Sequence, residues 1–273
     1  MKIGAYQANG VGNVVDVKCF RPIQVLLFDV TTSDNLAPLT VADFLNSTIK
    51  VNVTLQDSKT GNQTSVVPFV KLSQLAEIAT MHEGSVIMTK DKILFPVLLN
   101  PAANLRVDND KYLEIELSGM VPGQHVDVYG FETENISDML CIYQKFSIPV
   151  GTARQIYQVG TNDIIAFPTT GFDSVRFYFN SGVVSDMSPR ELQYDMAKNN
   201  DLTLYQLSEN GTVDVVTTAE DNGAGGQMTV SKCQMIMSHG NSFIRDLAGV
   251  KQFEIIRDSQ PETAFEFLLG DLH

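Results

Sequence analysis

The chain has 273 residues and a formal net charge of −13, with 44% hydrophobic and 19% charged residues. This composition is typical of a globular protein with a packed core, and it excludes a disordered or fibrous chain. Both halves of the sequence are acidic and contain no basic stripe, so we expect no direct binding of DNA or RNA. At roughly 150 residues per domain, the length is sufficient for two domains.

The cysteines and the N-terminal residues indicate the cellular compartment of the protein. Cys19, Cys141 and Cys233 lie far apart, without the short spacing that zinc or redox sites require, so we expect three separate reduced thiols. The first residues lack the apolar stretch of a signal peptide. No run of about 18 apolar residues is present to span a bilayer. The sequence therefore predicts a soluble protein that is not exported.

The first half reads mainly as β-strands, because apolar residues alternate with polar ones between turn signals. Residues 1–13 are expected to form an extended N-terminal arm. A helix is predicted over residues 72–82, where apolar side chains recur at helical spacing and Gly84 follows as a stop signal. The predicted strands cover residues 14–19, 24–30, 48–55, 85–90, 92–99, 112–117 and 125–131.

The second half repeats this pattern. A helix is predicted over residues 188–198, where Ser188, Pro189 and Glu191 form a capping box with proline at the first helical position. A shorter helix is predicted over residues 242–248. In the strand 174–180, side-chain alternation turns Phe177 inward. The predicted strands cover residues 140–149, 155–159, 163–167, 174–180, 202–207, 212–217, 228–237, 252–257 and 264–269.

The order of elements is the same in the two halves: a strand, a loop with a helix, paired strands and a closing strand. Such a repeat predicts two units of one architecture, each long enough to bury its own core. We place the boundary between residues 137 and 138. The predicted organisation is an arm over residues 1–13, a first sandwich or barrel over 14–137 and a second over 138–273.

No pattern typical of catalysis is found. The sequence lacks a nucleophile elbow, a Walker loop, an HExxH motif and the HxH pair of a metal cupin. His82 lies at a helix end, whereas His125 and His239 are expected in exposed loops. We therefore expect no enzymatic activity and no catalytic or cofactor-binding residue.

The densest acidic group contains the only candidates for a metal site. Asp108 and Asp110 could supply oxygen ligands for a structural calcium ion from one loop. The glycine and glutamate that would complete an EF-hand are missing. Glu114 and Glu116 alternate with apolar residues, which favours a solvated strand face over a cation site.

The first half contains STIKVNVTL followed by LSQLAEIATMH, and the second half contains DSVRFYFN followed by SPRELQYDMAK. These two units resemble those of double jelly-roll major capsid proteins of tailless icosahedral viruses. The short length is most similar to capsid proteins of membrane-containing bacteriophages. The resemblance implies an all-β fold of two tandem eight-stranded jelly-roll barrels, each with a short helix in a connecting loop. One feature departs from the family pattern, because no strongly amphipathic N-terminal helix is present to anchor to a membrane.

The resemblance also implies a function. The chain would be a major capsid protein that trimerises into pseudo-hexagonal capsomers and tiles an icosahedral virion shell over an internal membrane, after assembly in the host cytoplasm. Its partners would be two further copies, neighbouring capsomers, and minor capsid or penton proteins. The expected outer loops are residues 61–65, 100–110 and 219–226. Alternatives are a carbohydrate-binding or adhesive β-sandwich, a β-barrel enzyme, and a virion spike or minor capsid protein.

Overall fold

The computed structural model describes residues 1–7, 15–32, 41–82, 87–89, 92–199, 215–221, 227–233, 242–257 and 261–272. Up to residue 137 its elements are β1 (Lys2–Gln7), β2 (Val15–Cys19), β3 (Val25–Thr32), α1 (Val41–Leu45), β4 (Lys50–Asp57), β5 (Gln63–Lys71), α2 (Leu72–His82), β6 (Ile87–Thr89), β7 (Lys92–Leu98), β8 (Asn104–Leu105), β9 (Lys111–Ser118), β10 (Gln124–Phe131) and β11 (Ile136–Ser137).

The elements that follow are β12 (Ile142–Ile148), β13 (Arg154–Gln158), β14 (Ile164–Pro168), β15 (Ser174–Phe179), β16 (Val184–Met187), α3 (Pro189–Asn199), β17 (Val215–Asp221), β18 (Gln227–Cys233), β19 (Ser242–Asp246), β20 (Val250–Ile256) and β21 (Phe265–Asp271). The fold is therefore all-β with a few short helices, as the sequence predicts.

The strand order identifies two jelly rolls. In the first, one sheet has the order β1-β10-β3-β7, extended by β6, and the other has the order β2-β9-β4-β5. In the second, the orders are β12-β21-β14-β19 and β13-β20-β15-β16. When the eight principal strands of each unit are counted along the chain, both units have the sheet orders 1-8-3-6 and 2-7-4-5. The predicted tandem jelly rolls are confirmed.

Each jelly roll buries apolar side chains between its two sheets. The largest buried side chains are aromatic, such as the stacked pair Phe28 and Phe95 in the first core, with ring centroids 5.7 Å apart. Phe177, Phe253 and Phe267 lie in the second core. The inward orientation predicted for Phe177 is confirmed, and it follows from the two-residue side-chain period of β15.

The two longer helices occupy the same place in the two units. α2 follows the fifth principal strand of the first jelly roll, and α3 follows that of the second. The predicted capping box of α3 is confirmed: the Ser188 backbone N–H and hydroxyl each donate to Glu191 Oε2 at 2.7 Å, and the Glu191 N–H donates to Ser188 Oγ at 3.4 Å.

Two predicted elements are wrong. Residues 2–7, assigned to an extended arm, form β1, which pairs with β10 inside the first jelly roll. Residues 242–246, assigned to a helix, form β19, which pairs with β14. Strand β19 is buried on both faces, with Phe243 in its own core and Ile244 against the first jelly roll, so its apolar spacing imitates that of a helix.

The sequence did not predict β5, whose buried valines follow a polar turn, nor the short strands β8, β11 and β16. The predicted strand over residues 202–207 lies outside the described residues. The predicted strands over 85–90, 212–217 and 228–237 correspond in part to β6, β17 and β18.

Candidate functional surfaces

The two cation candidates contact groups of the protein itself. Asp108 Oδ1 accepts hydrogen bonds from the backbone N–H groups of Lys111, at 2.9 Å, and Asp110, at 2.8 Å, which hold the pKa of Asp108 below its usual value. Asp110 Oδ2 lies 2.6 Å from Lys59 Nζ. Asp108 thus closes a turn, and Asp110 forms a surface ion pair.

Glu114 and Glu116 lie on the outer face of the sheet that starts with β2. Glu114 accepts a hydrogen bond from Gln56 Nε2 at 2.8 Å, and Glu116 accepts one from Asn52 Nδ2 at 3.5 Å. In the part of the chain that the structure describes, no group of three or more His, Cys, Asp or Glu side chains is arranged to hold a metal ion.

The predicted outer loops do not share one end of the fold. Residues 58–62 connect the fourth and fifth principal strands of the first jelly roll and contact the connection that contains Asp110. Residues 219–221 and 227 instead belong to β17 and β18, inserted between the fifth and sixth principal strands of the second. Successive connections alternate between the ends of an antiparallel barrel, which places this hairpin at the other end of its unit.

Much of the connection over residues 100–110 is buried because it binds the segment that joins the jelly rolls. Asn100 is fully buried; its side-chain oxygen accepts the N–H groups of Ala102 and Ala103, and its Nδ2 donates to the Met139 carbonyl at 2.7 Å. β8 pairs in parallel with β11 of the joining segment. The sequence expectation that this whole connection is a solvent-facing loop is wrong.

The outer face of the sheet β12-β21-β14-β19 is apolar and buried against the first jelly roll. β12 lies against β5, and β19 lies against α2. The buried residues of this face, which pack into one cluster with the first core, are Tyr143, Ile164, Ala166, Ile244 and Leu268. Because these side chains point away from their own core, the second jelly roll depends on the first to cover them.

The rim of this interface opens into a cleft of about 270 Å³ whose wall is more apolar than polar but includes several charged side chains. Lys50 and Lys71 line it from the first jelly roll, and Lys145, paired with Glu266 at 2.7 Å, lines it from the second. Three positions of α2 also line it: Ser73, Gln74 and Glu77. The interface thus has an apolar centre and a charged edge.

The corresponding outer face of the first jelly roll, on the sheet that starts with β1, carries charged as well as apolar side chains and is only half-buried. Asp127 Oδ2 lies 2.8 Å from Lys2 Nζ and accepts a hydrogen bond from the Tyr129 hydroxyl at 3.2 Å. Asp127 also stands directly opposite Asp29 in the register of β10 and β3. Burial acts to raise the pKa of Asp127, but the hydrogen bonds from Lys2 and His125 outweigh it and hold this pKa below its usual value.

His125 belongs to this network and is not an exposed loop residue as predicted. Its Nε2 lies 2.8 Å from Asp127 Oδ1, and its side chain is 14% exposed within β10. The side chain of His82, and the whole of His239 and His273, lie outside the described residues.

A second polar face lies on the sheet β13-β20-β15-β16. The Arg176 guanidinium contacts Asp186 Oδ2 at 2.7 Å and Glu254 Oε2 at 3.4 Å, and the Tyr178 hydroxyl donates to the same Glu254 oxygen at 3.1 Å. The hydrogen bond from Arg176 holds the pKa of Asp186 below its usual value. Ile156 of this face is about half exposed. Polar side chains therefore cross-link three neighbouring strands of this face.

The remaining sequence expectations concern thiols and membranes. Cys19 is a buried thiol whose pKa burial raises, and Cys141 is buried with its Sγ 3.6 Å from the Leu272 carbonyl oxygen; the side chain of Cys233 lies outside the described residues. None of the helices in the described ranges is long and apolar enough to cross a membrane.

No protein-family model matches the chain, and no curated protein is significantly similar to it. Among solved structures, the major capsid protein P2 from bacteriophage PM2 is similar, with 12% identity, a TM-score of 0.45, and coverage of 99% of this chain and 96% of that one. PBCV-1 VP54, fitted into a reconstruction of the virophage Sputnik, has 9% identity and a TM-score of 0.43, with coverage of 99% and 92%. A quasi-atomic model of the PBCV-1 virus capsid has 8% identity, the same TM-score and the same coverage.

Proposed function

We propose that the chain is a major capsid protein that trimerises into pseudo-hexagonal capsomers and tiles an icosahedral virion shell over an internal membrane. One observation carries this proposal: two jelly rolls of the same strand order are joined side by side by an apolar interface. A trimer of such chains presents six similar wedges, so three copies can fill a position of sixfold shape in a shell.

The surfaces support this role. The jelly-roll interiors are packed with apolar side chains, and the polar sheet faces form broad flanks suited to contacts between subunits. We propose that the protein acts without a catalytic site or cofactor. We also propose that it assembles in the host cytoplasm, that its partners are its own copies, neighbouring capsomers and minor capsid or penton proteins, and that its acidic surface does not bind the genome.

The mass and shape of the purified protein test this function. Light scattering after size-exclusion chromatography should give three times the 30.1 kDa mass of the chain, and negative-stain micrographs should show hexagonal particles. A monomer at all concentrations, or a monomer that binds glycans on an array, would contradict the proposal and favour the carbohydrate-binding alternative.

A further inference from the structure

The two jelly rolls carry an equivalent edge. In the first it consists of β5 and α2, and in the second of β16 and α3. Leu75 is the fourth residue of α2, Leu192 is the fourth residue of α3, and both side chains are 2% exposed. This shared anchor aligns the two helices. We call β5 with α2 the first helix edge, and β16 with α3 the second helix edge.

Within the chain, the first helix edge is already bound to the second jelly roll. It lies against the outer face of the sheet β12-β21-β14-β19, where β5 contacts β12 and α2 contacts β19. Residues Ser73, Gln74 and Glu77 of α2 line the cleft at this contact. The intramolecular contact is therefore a template: a helix edge of one jelly roll covers the 1-8-3-6 sheet of another.

The second helix edge exposes side chains at the corresponding positions. With the leucines aligned, Ser73, Gln74 and Glu77 correspond to Arg190, Glu191 and Tyr194. Tyr194 is 68% exposed, Arg190 is exposed, and Val184 of β16 is 52% exposed. Glu191 is held in the capping box by Ser188, which leaves Arg190 and Tyr194 for a partner. Arginine and tyrosine are among the residue types that most often dominate binding energy at protein interfaces.

The complementary face is the outer face of the sheet that starts with β1, which is the first unit's counterpart of the buried sheet. Its side chains Leu27, Asp29, Asp127 and Tyr129 are half-buried. On the corresponding strands of the second jelly roll, the outer-face residues Ile164, Ala166 and Leu268 are buried. The two aspartates stand opposite each other in the register of β3 and β10. This face therefore combines two carboxylates, one of them paired with Lys2 at 2.8 Å, with partly open apolar and aromatic surface.

We infer that the second helix edge binds the outer face of the β1 sheet of a second copy of this chain. The inference rests on the proposed trimer and assigns its contact surfaces. Each copy would use its second helix edge on one neighbour and its β1 sheet on the other, so the contact is heterologous and closes into a ring in which first and second jelly rolls alternate.

The contact between the two jelly rolls of one chain is apolar, whereas the proposed contact between copies is more polar. The intramolecular contact is permanent and buries tyrosine, isoleucine, alanine and leucine side chains. The contact between copies must leave a free chain soluble, and here Arg190 and Tyr194 would meet the Asp29 and Asp127 carboxylates and the ring of Tyr129. Interfaces that form after folding are more polar than permanent ones.

Surface substitutions test the assignment in the full chain. Tyr194→Asp and Arg190→Glu should each weaken trimer formation by about tenfold or more, because both remove a contact and add negative charge opposite Asp29 and Asp127. The control is Val150→Asp, which adds the same charge as Tyr194→Asp at a 60% exposed position in the connection between β12 and β13 and should leave the trimer intact. Thermal melting should be unchanged in the isolated monomers, because these positions are exposed.

Cross-linking between different copies gives a second measurement. A chain with Tyr194→Cys is mixed with a chain with Ala5→Cys, an exposed position of β1 opposite Asp127, and treated with a short bifunctional thiol reagent. A covalent dimer should form. A mixture with Thr60→Cys in place of Ala5→Cys should give none. If the wild type is a trimer, neither substitution weakens it and the mixture of cysteine variants gives no covalent dimer, this inference is overturned and the proposed function stands. A monomeric wild type overturns both.

Discussion

The hydroxyl of Tyr6 donates a hydrogen bond to the backbone carbonyl of Ile115 at 3.1 Å, which joins the two sheets of the first jelly roll across its core. Tyr6 belongs to β1, is fully buried, and has a pKa that burial raises above its usual value. The N-terminal segment is therefore part of the core, because a buried phenol must keep its hydrogen-bond partner.

The first prediction concerns this bond. Tyr6→Phe should lower the free energy of unfolding by about 1 kcal/mol, the usual net contribution of a buried hydrogen bond, and deletion of residues 1–7 should lower it more because β10 loses its neighbour. Urea denaturation gives both values. Tyr112→Phe, on the half-exposed outer face of β9, is the matched control and should change stability by less than about 0.5 kcal/mol. Unaltered stability of the deletion variant would show that residues 1–7 are an arm that does not contribute to the core.

The second prediction concerns Phe177, which is fully buried in the second core. Phe177→Asp should abolish soluble folding, because the loss of the ring and the burial of a charge together cost more than about 4 kcal/mol. Val184→Asp, at an exposed position of the neighbouring strand β16, should remain soluble. Soluble expression and circular dichroism decide between these outcomes, and a folded Phe177→Asp protein would refute the inward orientation of this side chain.

The third prediction concerns the capping box of α3. Ser188→Ala should destabilise the protein by about 1 kcal/mol. The hydrogen bonds from the Ser188 hydroxyl and backbone N–H lower the pKa of Glu191. Since this pKa is lower in the folded state, the contribution of the ionised carboxylate is present above the unfolded pKa and is lost as the pH falls through the folded one.

Glu191→Gln is the control for this pH dependence, because it keeps a hydrogen-bond acceptor without the titrating group. Wild-type stability measured by urea denaturation between about pH 6 and pH 3 should fall more steeply than that of Glu191→Gln. Equal slopes for the two proteins would show that the capping carboxylate contributes nothing to acid sensitivity.

The fourth prediction concerns the segment between the jelly rolls, where we propose the domain boundary at residues 137 and 138. Asp138 and Met139 are exposed, so a protease recognition site introduced between them should allow the chain to be cut between the jelly rolls. The two fragments should nevertheless stay together on a native sizing column, because the outer face of the β12 sheet is buried against the first jelly roll.

The variant Leu268→Asp tests the cause of that association. Leu268 points out of the second jelly roll into the contact with the first, so a charge there should let the nicked halves separate or prevent folding. Ile156→Asp, at a half-exposed position of the opposite sheet of the second jelly roll, should leave the nicked halves associated. Separation of wild-type fragments without denaturant would contradict the prediction.

The alternation of apolar and polar residues predicted the strands that have one face in the core and the other towards solvent. β9 and β10 alternate buried and half-exposed positions along their length, so their period of two is visible in the sequence. The bounds of α2 and the cap of α3 also agree with the prediction, because capping and glycine stop signals act over a few residues. The repeat of element order could be recognised for the same reason.

Prediction failed where a distant contact determined the structure. Strand β1 contains Gly4, whose position leaves little room for a side chain against Val17, so its apolar pattern is weak. β19 is apolar on both faces because one face lies in its own core and the other packs against the first jelly roll. The sequence predicts His125 in an exposed loop because it follows a turn, whereas its side chain contacts Asp127, which Lys2 also reaches once β1 pairs with β10.

The amino-acid sequence by itself determined that the chain is β-rich, acidic, repeated in its element order and without a catalytic motif, since composition, period and short-range caps are properties of neighbouring residues. The tertiary structure decided which sheet faces are covered and which are open, because coverage depends on elements far apart in the sequence, such as β5 and β12 or α2 and β19. The outer faces of the β12 sheet and of the β1 sheet have the same strand order, and the structure decides that the first is buried within the chain whereas the second is half-open.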